Sequence, residues 1–368
     1  MLLIEAKKDR FLHSIQALRG VAVLMVVFYH VYIIGGDSNY LGYAVFKGFS
    51  EPGKFGVNLF FVLSGFIIFH AHSVDIGRPS QLGSYFYKRF SRIYPVYWFF
   101  LFGYVFAAYL GLGHADFSWE AGNLISSMFL WGGYPELSLP LKVAWTLCYE
   151  LIFYALFMAF LISARLGVIL FFLWLVTLIV LNVLIDGAIG YRVFEVWNLN
   201  FILGGVCYYV FNNLSKVRLD ILIVMFALFV AGLLYSSFSM DFSETPLSAS
   251  NKHIMILLSL AFSCLVMCSL LLNDFFKSRF LSWLVKLGNA SYSVYLTHSA
   301  WISLYYIALR KLGLLSQVYE YGVVIYISAV LTSLLVGYIA FIVVEKPLVK
   351  VCRNIYSERL EKRNCNAA

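Results

Sequence analysis

An arginine and a histidine lie eleven residues apart inside one apolar stretch, "SIQALRGVAVLMVVFYHVYII", which runs from Ser14 to Ile34. A guanidinium is a permanent cation that grips carboxylate and phosphate oxygens, and an imidazole exchanges a proton near neutral pH. On a helix, eleven residues at about 100° each make three turns and roughly 20° more. Arg19 and His30 therefore project from one face. Glu150 is the one acidic residue of a second apolar stretch, "VAWTLCYELIFYALF". Ionisable groups in such stretches are costly in hydrocarbon and normally face a bundle interior or a wet path. A carboxylate beside an imidazole raises its basicity and fixes its tautomer, as general-base chemistry requires.

The elements that must hold these groups follow from composition. The chain has 368 residues, 62% hydrophobic and only 12% charged, whereas soluble domains carry about a quarter charged residues. Its apolar residues come in blocks of about 20, the length that crosses a hydrocarbon core of roughly 30 Å. The expected fold is all-α, a polytopic membrane bundle of about ten spans near 14–34, 56–74, 93–111, 143–163, 166–186, 194–212, 219–238, 253–273, 290–311 and 321–344. Residues 1–350 read as one transmembrane domain and 351–368 as a short basic tail, with Pro347 ending the last span. No signal peptide is evident, and the segment between Gly111 and Lys142 has a short apolar run suited to an interfacial helix. The six cysteines have no metal-knuckle or redox spacing.

An even number of spans puts both termini on one side. With that side cytoplasmic, 19 basic residues fall inside and seven outside, which orients the chain by the positive-inside rule. The bias accounts for the net charge of +8 without a nucleic-acid partner. A rise of about 1.5 Å per residue then puts Arg19 roughly 8 Å from the inner surface and His30 about 24 Å from it, with Glu150 about 10 Å below the outer surface. His30 and Glu150 are expected at matched depth, and so able to meet.

Other polar groups sort by the same depth scale. Lys88, Arg89 and Arg92, in "YKRFSRIYPVYW", form a basic cluster at the inner membrane surface, which serves as a topology anchor or binds an anionic group. His298, with Tyr292 and Tyr295, is expected in the inner or middle part of the ninth span, nearer the depth of Arg19. Trp145 and Tyr149 line the stripe beside Thr146 and Glu150, and Asn58 and Ser64 lie in the outer half of the second span. The "SG" at Ser64 suits close helix packing better than a nucleophile.

Six segments in order, "IQALRGVAVLMVVFYH", "GVNLFFVLSGFII", "KRFSRIYPVYW", "AWTLCYELIFY", "ASYSVYLTH" and "EKPL", resemble the acyltransferase-3 family of integral membrane acyltransferases. The first matches the family's Arg-x10-His signature, and the resemblance covers nearly the whole chain. It is nearest to the bacterial branch that acetylates exopolysaccharides and lipopolysaccharides, with no appended esterase-like domain. The resemblance implies a ten-helix bundle in the bacterial inner membrane and transfer of an acyl group, commonly acetyl from acetyl-CoA, to a hydroxyl of an extracytoplasmic glycan. No metal is implied. On that basis Arg19, Lys88, Arg89, Arg92 and His298 are donor-side candidates, and Trp145, Tyr149 and Asn58 are acceptor-side candidates. His30 is the general base or a transient acyl acceptor, with Glu150 supporting it. A transporter or flippase also carries intramembrane charges, but broken spans repeated in two halves would mark it, and none is apparent.

Overall fold

The computed structural model describes residues 3–5, 11–37, 40, 42, 45–111, 117–131, 138–185, 191–214, 216–244, 247–314 and 318–367. Lys7, Lys8, Arg10 and His114 lie outside the described residues, as do the side chains of Arg359, Lys362, Arg363 and Cys365. The helices in chain order are α1 (His13–Gly35), α2 (Lys47–Ser50), α3 (Gly56–His72), α4 (Leu82–Tyr109), α5 (Ala121–Met128), α6 (Trp145–Ile162), α7 (Ala164–Ile179), α8 (Asn198–Asn213), α9 (Leu219–Ser239), α10 (Ala249–Leu271), α11 (Ser282–Lys311), α12 (Val318–Ala340) and α13 (Lys346–Ala367). Two short strands, β1 (Leu3–Glu5) and β2 (Lys216–Arg218), pair antiparallel.

Among the described residues, seven helical segments are long and apolar enough to cross a membrane: His13–Gly35, Lys47–Asp75, Lys142–Ile162, Ala164–Leu184, Leu219–Ser239, Asn251–Leu271 and Tyr321–Glu358. The three other expected spans coincide with α4, α8 and α11. Helix α8 has only 16 residues. The other two are long, but α4 is rich in tyrosine and carries three cations, and α11 is interrupted by serine, asparagine and histidine.

Glycine sets the closest helix contacts, because a missing side chain lets two backbones touch. Helices α1 and α11 run in the same direction, with Gly20 beside Gly288, His30 beside His298 and Gly35 beside Tyr306. A Cβ on Gly288 would come within 1.7 Å of the Gln16 carbonyl oxygen, and one on Gly20 within 2.4 Å of the Leu284 oxygen. Helices α3 and α8 form a second seam. A Cβ on Gly65 would lie 2.2 Å from the Phe201 oxygen, and one on Gly204 would lie 2.1 Å from the Val62 oxygen. The "SG" pair on α3 thus serves close packing.

The interfacial segment is α5, eight residues long and held by three aromatic groups of α4. Tyr97 donates to the Ser127 carbonyl (2.7 Å), Trp98 to Met128 (2.8 Å) and Tyr94 to Phe129 (2.9 Å). The chain does not end its last helix at Pro347. A π-helical turn, Phe341–Glu345, joins α12 to α13, and Pro347 is the second residue of α13. A widened turn takes up the acceptor and the ring clash that a proline brings to a helix. Tyr87 of α4 then stacks on Tyr356 at 4.7 Å and donates to the Cys352 carbonyl at 2.8 Å, docking the start of the tail as ordered helix.

Candidate active site

Two cavities open between these helices. The first, about 890 Å³ with its mouth included, is lined by Arg19 of α1, Ser64 of α3, Arg89 and Arg92 of α4, Thr146, Glu150 and Tyr154 of α6, and Ser291, Tyr292 and Tyr295 of α11. Arg89 and Arg92 are three residues apart and so share a helix face. Lys88 is a third of a turn away, exposed and absent from the lining. The structure therefore splits the expected three-residue cluster into two cavity residues and one surface residue.

Each cation of this cavity has a different environment. Arg92 donates to Glu345 (2.5 Å), whose other oxygen accepts from Ser293 (2.6 Å), and its guanidinium lies over the Tyr292 ring at 5.5 Å. Arg89 donates to Nε2 of His72 (3.1 Å), so that ring carries its hydrogen on Nδ1, which donates to Asp75 (2.8 Å). Arg19 donates no hydrogen bond and forms no ion pair within 4.0 Å among the described residues. Glu150 Oε1 accepts from Ser64 (2.9 Å) and from Tyr154. Three guanidinium groups lie with two carboxylates, Glu150 and Glu345, an imbalance that favours an anionic ligand.

The second cavity, about 1110 Å³ with its mouth included, is lined by Tyr29, His30, Lys54, Trp145, Tyr149, Arg192, Glu195 and Trp197, with Val26, Val57, Leu247 and Tyr295. Its walls are aromatic: the Trp145 ring is 5.3 Å from Trp197 and 5.6 Å from Tyr149. Tyr149 donates to Glu195. Nδ1 of His30 lies 2.8 Å from the Val26 carbonyl. A carbonyl only accepts, so Nδ1 carries the hydrogen and Nε2 keeps a lone pair. Val57 and Tyr295 line both cavities. Tyr295 is fastened there, its hydroxyl donating to the Val143 carbonyl (3.1 Å) and accepting from Thr146 (3.1 Å).

The structure brings Arg19, Arg89, Arg92 and Glu150 together, and separately His30, Trp145 and Tyr149. It does not bring His30 and Glu150 together, because they line different cavities. Equal depth does not place two groups on facing sides of their helices, and Glu150 turns toward Arg19 and α3. His298 also lies away from its expected depth. It sits against His30 rather than near Arg19, with ring centroids 4.7 Å apart. Helix α11 starts at Ser282, eight residues before the apolar run from which its depth was counted. Asn58 is fully buried and lines neither cavity.

Several residues in or beside the two cavities escape sequence reasoning. Glu345, the acidic residue of "EKPL", has no partner nearby in sequence, and its contact with Arg92 spans 253 positions. Lys54, Arg192, Glu195 and Trp197 lie between or at the ends of apolar runs, where polar residues draw no notice. The one available signal was "YRVFEVWN", an opposite-charge pair among aromatic residues.

A helical membrane bundle with a cationic cavity and an imidazole-bearing aromatic cavity that share Val57 and Tyr295 as lining defines a multi-pass membrane protein with a two-chambered site. A family model described as an acyltransferase domain matches residues 12–342, and the chain belongs to that family, acyltransferase-3. No curated relative and no solved structure matches the chain.

Proposed function

We propose that this membrane acyltransferase moves an acetyl or other short acyl group from cytoplasmic acyl-CoA to a hydroxyl of an extracytoplasmic glycan, such as exopolysaccharide or O-antigen. On this reading ten helices cross the bacterial inner membrane, with both termini cytoplasmic. The observation that carries it is the shared wall of Val57 and Tyr295. Two substrates held in separate chambers meet only there, and a short acyl group is the part small enough to pass between them.

Arg19, Arg89 and Arg92 then hold the phosphates and the thioester end of the donor, with Glu150 as counter-charge opposite Arg19. This donor-side role for Glu150 replaces support of His30, because its hydrogen bonds come from Ser64 and Tyr154 in the first cavity. Lys88 guides the donor only from the surface. On the acceptor side, Trp145 and Tyr149 offer flat faces to a sugar ring. Nε2 of His30 takes the hydroxyl proton as the sugar oxygen bonds to the thioester carbonyl carbon. The C–S bond breaks and coenzyme A leaves as its thiolate, to be protonated on the cytoplasmic side, while His30 releases the proton it took to the acceptor side. The same lone pair is the one that would accept the acyl group transiently. His298, edge-on to His30, holds that ring in place.

The test is purified protein in lipid nanodiscs with radiolabelled acetyl-CoA and bacterial exopolysaccharide or O-antigen. Base-labile label on the polysaccharide supports the reading. Vectorial movement of glycan without any ester formed would replace it with transport.

A further inference from the structure

The second cavity holds more positive charge than its own residues balance. Arg192 lies in a short 3-10 turn, Arg192–Phe194, and is only 8% exposed. Its backbone is fastened by Asn198, whose side-chain amide donates to the Arg192 carbonyl at 2.7 Å. Its guanidinium is not: Nη1 is buried and has no hydrogen-bond partner. Lys54, on the 3-10 turn Glu51–Phe55 across the cavity lining, is likewise without an ion pair among the described residues. Glu195 is the single carboxylate in the lining; it accepts from the Tyr149 hydroxyl and offsets one of the two cations, interacting with Arg192 through space, which leaves one positive charge over. Glu51, three residues before Lys54, instead accepts from Tyr32 (3.1 Å). A buried guanidinium nitrogen with no acceptor is costly, and an oxyanion is the group that satisfies it best.

We infer that Lys54 and Arg192 form an oxyanion subsite, so that the second cavity takes an acidic glycan whose carboxylate or phosphate ester they bind. This rests on the reading of that cavity as the acceptor chamber. The subsite lies in the same chamber as His30 and the aromatic rings of Trp145 and Trp197. It therefore selects which sugar unit of a polymer offers its hydroxyl: the charged unit or its immediate neighbour. The donor's own phosphates have a separate set of cations in the first cavity, so the two anion sites serve two substrates.

The experiment uses the full-length protein in phosphatidylcholine nanodiscs, with binding followed by tryptophan fluorescence. The probes are trigalacturonate, maltotriose and maltotriose phosphate, with acetyl-CoA titrated separately on the same samples. The anionic trisaccharides are expected to bind at least about tenfold more tightly than maltotriose, the worth of one charge-assisted hydrogen bond. Whichever of the two binds more tightly separates carboxylate from phosphate. The preference should fall below about twofold in Lys54→Gln and Arg192→Gln, with acetyl-CoA binding unchanged in both. If Arg192→Gln does not fold, the partly exposed Lys54→Gln decides. Equal binding of maltotriose, or an anionic preference that survives the substitutions, overturns the subsite. Loss of acetyl-CoA binding by the unsubstituted protein counts against the acyl-transfer reading and leaves the sugar-binding result standing.

Discussion

The imidazole of His30 stands edge-on to that of His298, with centroids 4.7 Å apart and planes at 78°. Each ring is tied by Nδ1 to a carbonyl one turn back on its own helix, Val26 for His30 (2.8 Å) and Tyr295 for His298 (2.7 Å). Both therefore keep their hydrogen on Nδ1, and both Nε2 atoms carry lone pairs. Only His30 lines the second cavity. His298 is fully buried, and its Nε2 has no partner.

His30→Ala should lower acyl transfer by about 10²- to 10⁴-fold, the range for a positioned acid–base group, while the protein inserts and purifies normally. His298→Phe keeps an aromatic edge against His30 and should retain most of the rate. His298→Ala frees the His30 ring and should lose about tenfold or more. Initial rates of ester formation, beside the melting temperature of each variant, check this. Equal rates for the Phe and Ala variants would remove the positioning role.

Arg89 and Lys88 are neighbours in sequence, but only Arg89 lines the first cavity. Arg89→Ala should raise the KM for acetyl-CoA by about tenfold or more, the loss of at least one charge-assisted hydrogen bond. Lys88→Ala should change it by less than about twofold, as expected of an exposed charge screened by salt. KM values from initial rates at fixed acceptor concentration decide it.

The Arg92–Glu345 pair is asymmetric, 35% and 1% exposed respectively. Arg92→Gln strands a buried carboxylate with only Ser293 as donor, and should destabilise by about 3 kcal/mol, the lower end for breaking a buried pair. Glu345→Gln leaves a cation that still reaches solvent, so its cost should be smaller, about 1–2 kcal/mol. The double variant should be more stable than the sum of the single losses. A double-mutant cycle on denaturant or thermal unfolding in detergent measures that coupling.

Gly288→Ala puts a methyl group 1.7 Å from the Gln16 carbonyl oxygen, so the α1–α11 seam must spread. The expected cost is about 3 kcal/mol or more, beyond ordinary overpacking because backbone cannot rotate away. It should appear as a lower melting temperature and a reduced yield of monodisperse protein. Gly83, with nothing within 4 Å of a built Cβ, serves as the matched control and should tolerate alanine.

Periodicity made one half of the site legible in the sequence. Arg19 and His30 belong to one helix, whose geometry fixes their relative position, and each lines a cavity. Trp145 and Tyr149 belong to one helix as well, and they accompany His30. Relations between helices were legible only as depth. Depth set His30 level with Glu150, but it says nothing about which way a helix is turned, and Glu150 turns toward Ser64 and Arg19. It misplaced His298 because α11 extends eight residues beyond its apolar run. Glu345 and Arg192 were out of reach for a related reason: their significance lies in contacts, or missing contacts, that no local pattern encodes.

The wall of Val57 and Tyr295 has an electrical consequence. On the proposed reading, two vestibules that open to opposite sides and share Val57 and Tyr295 as lining make the insulating layer thinner than the roughly 30 Å of plain hydrocarbon. The membrane voltage would then be focused on that shared lining, and each elementary charge crossing the full potential exchanges about 2.3 kcal/mol per 100 mV with the field. A proton or a phosphate would feel that gradient in full, and so would the proposed transfer: the sugar hydroxyl gives up its proton on one side and the thiolate takes one up on the other, so about one elementary charge is displaced through the field for each ester formed.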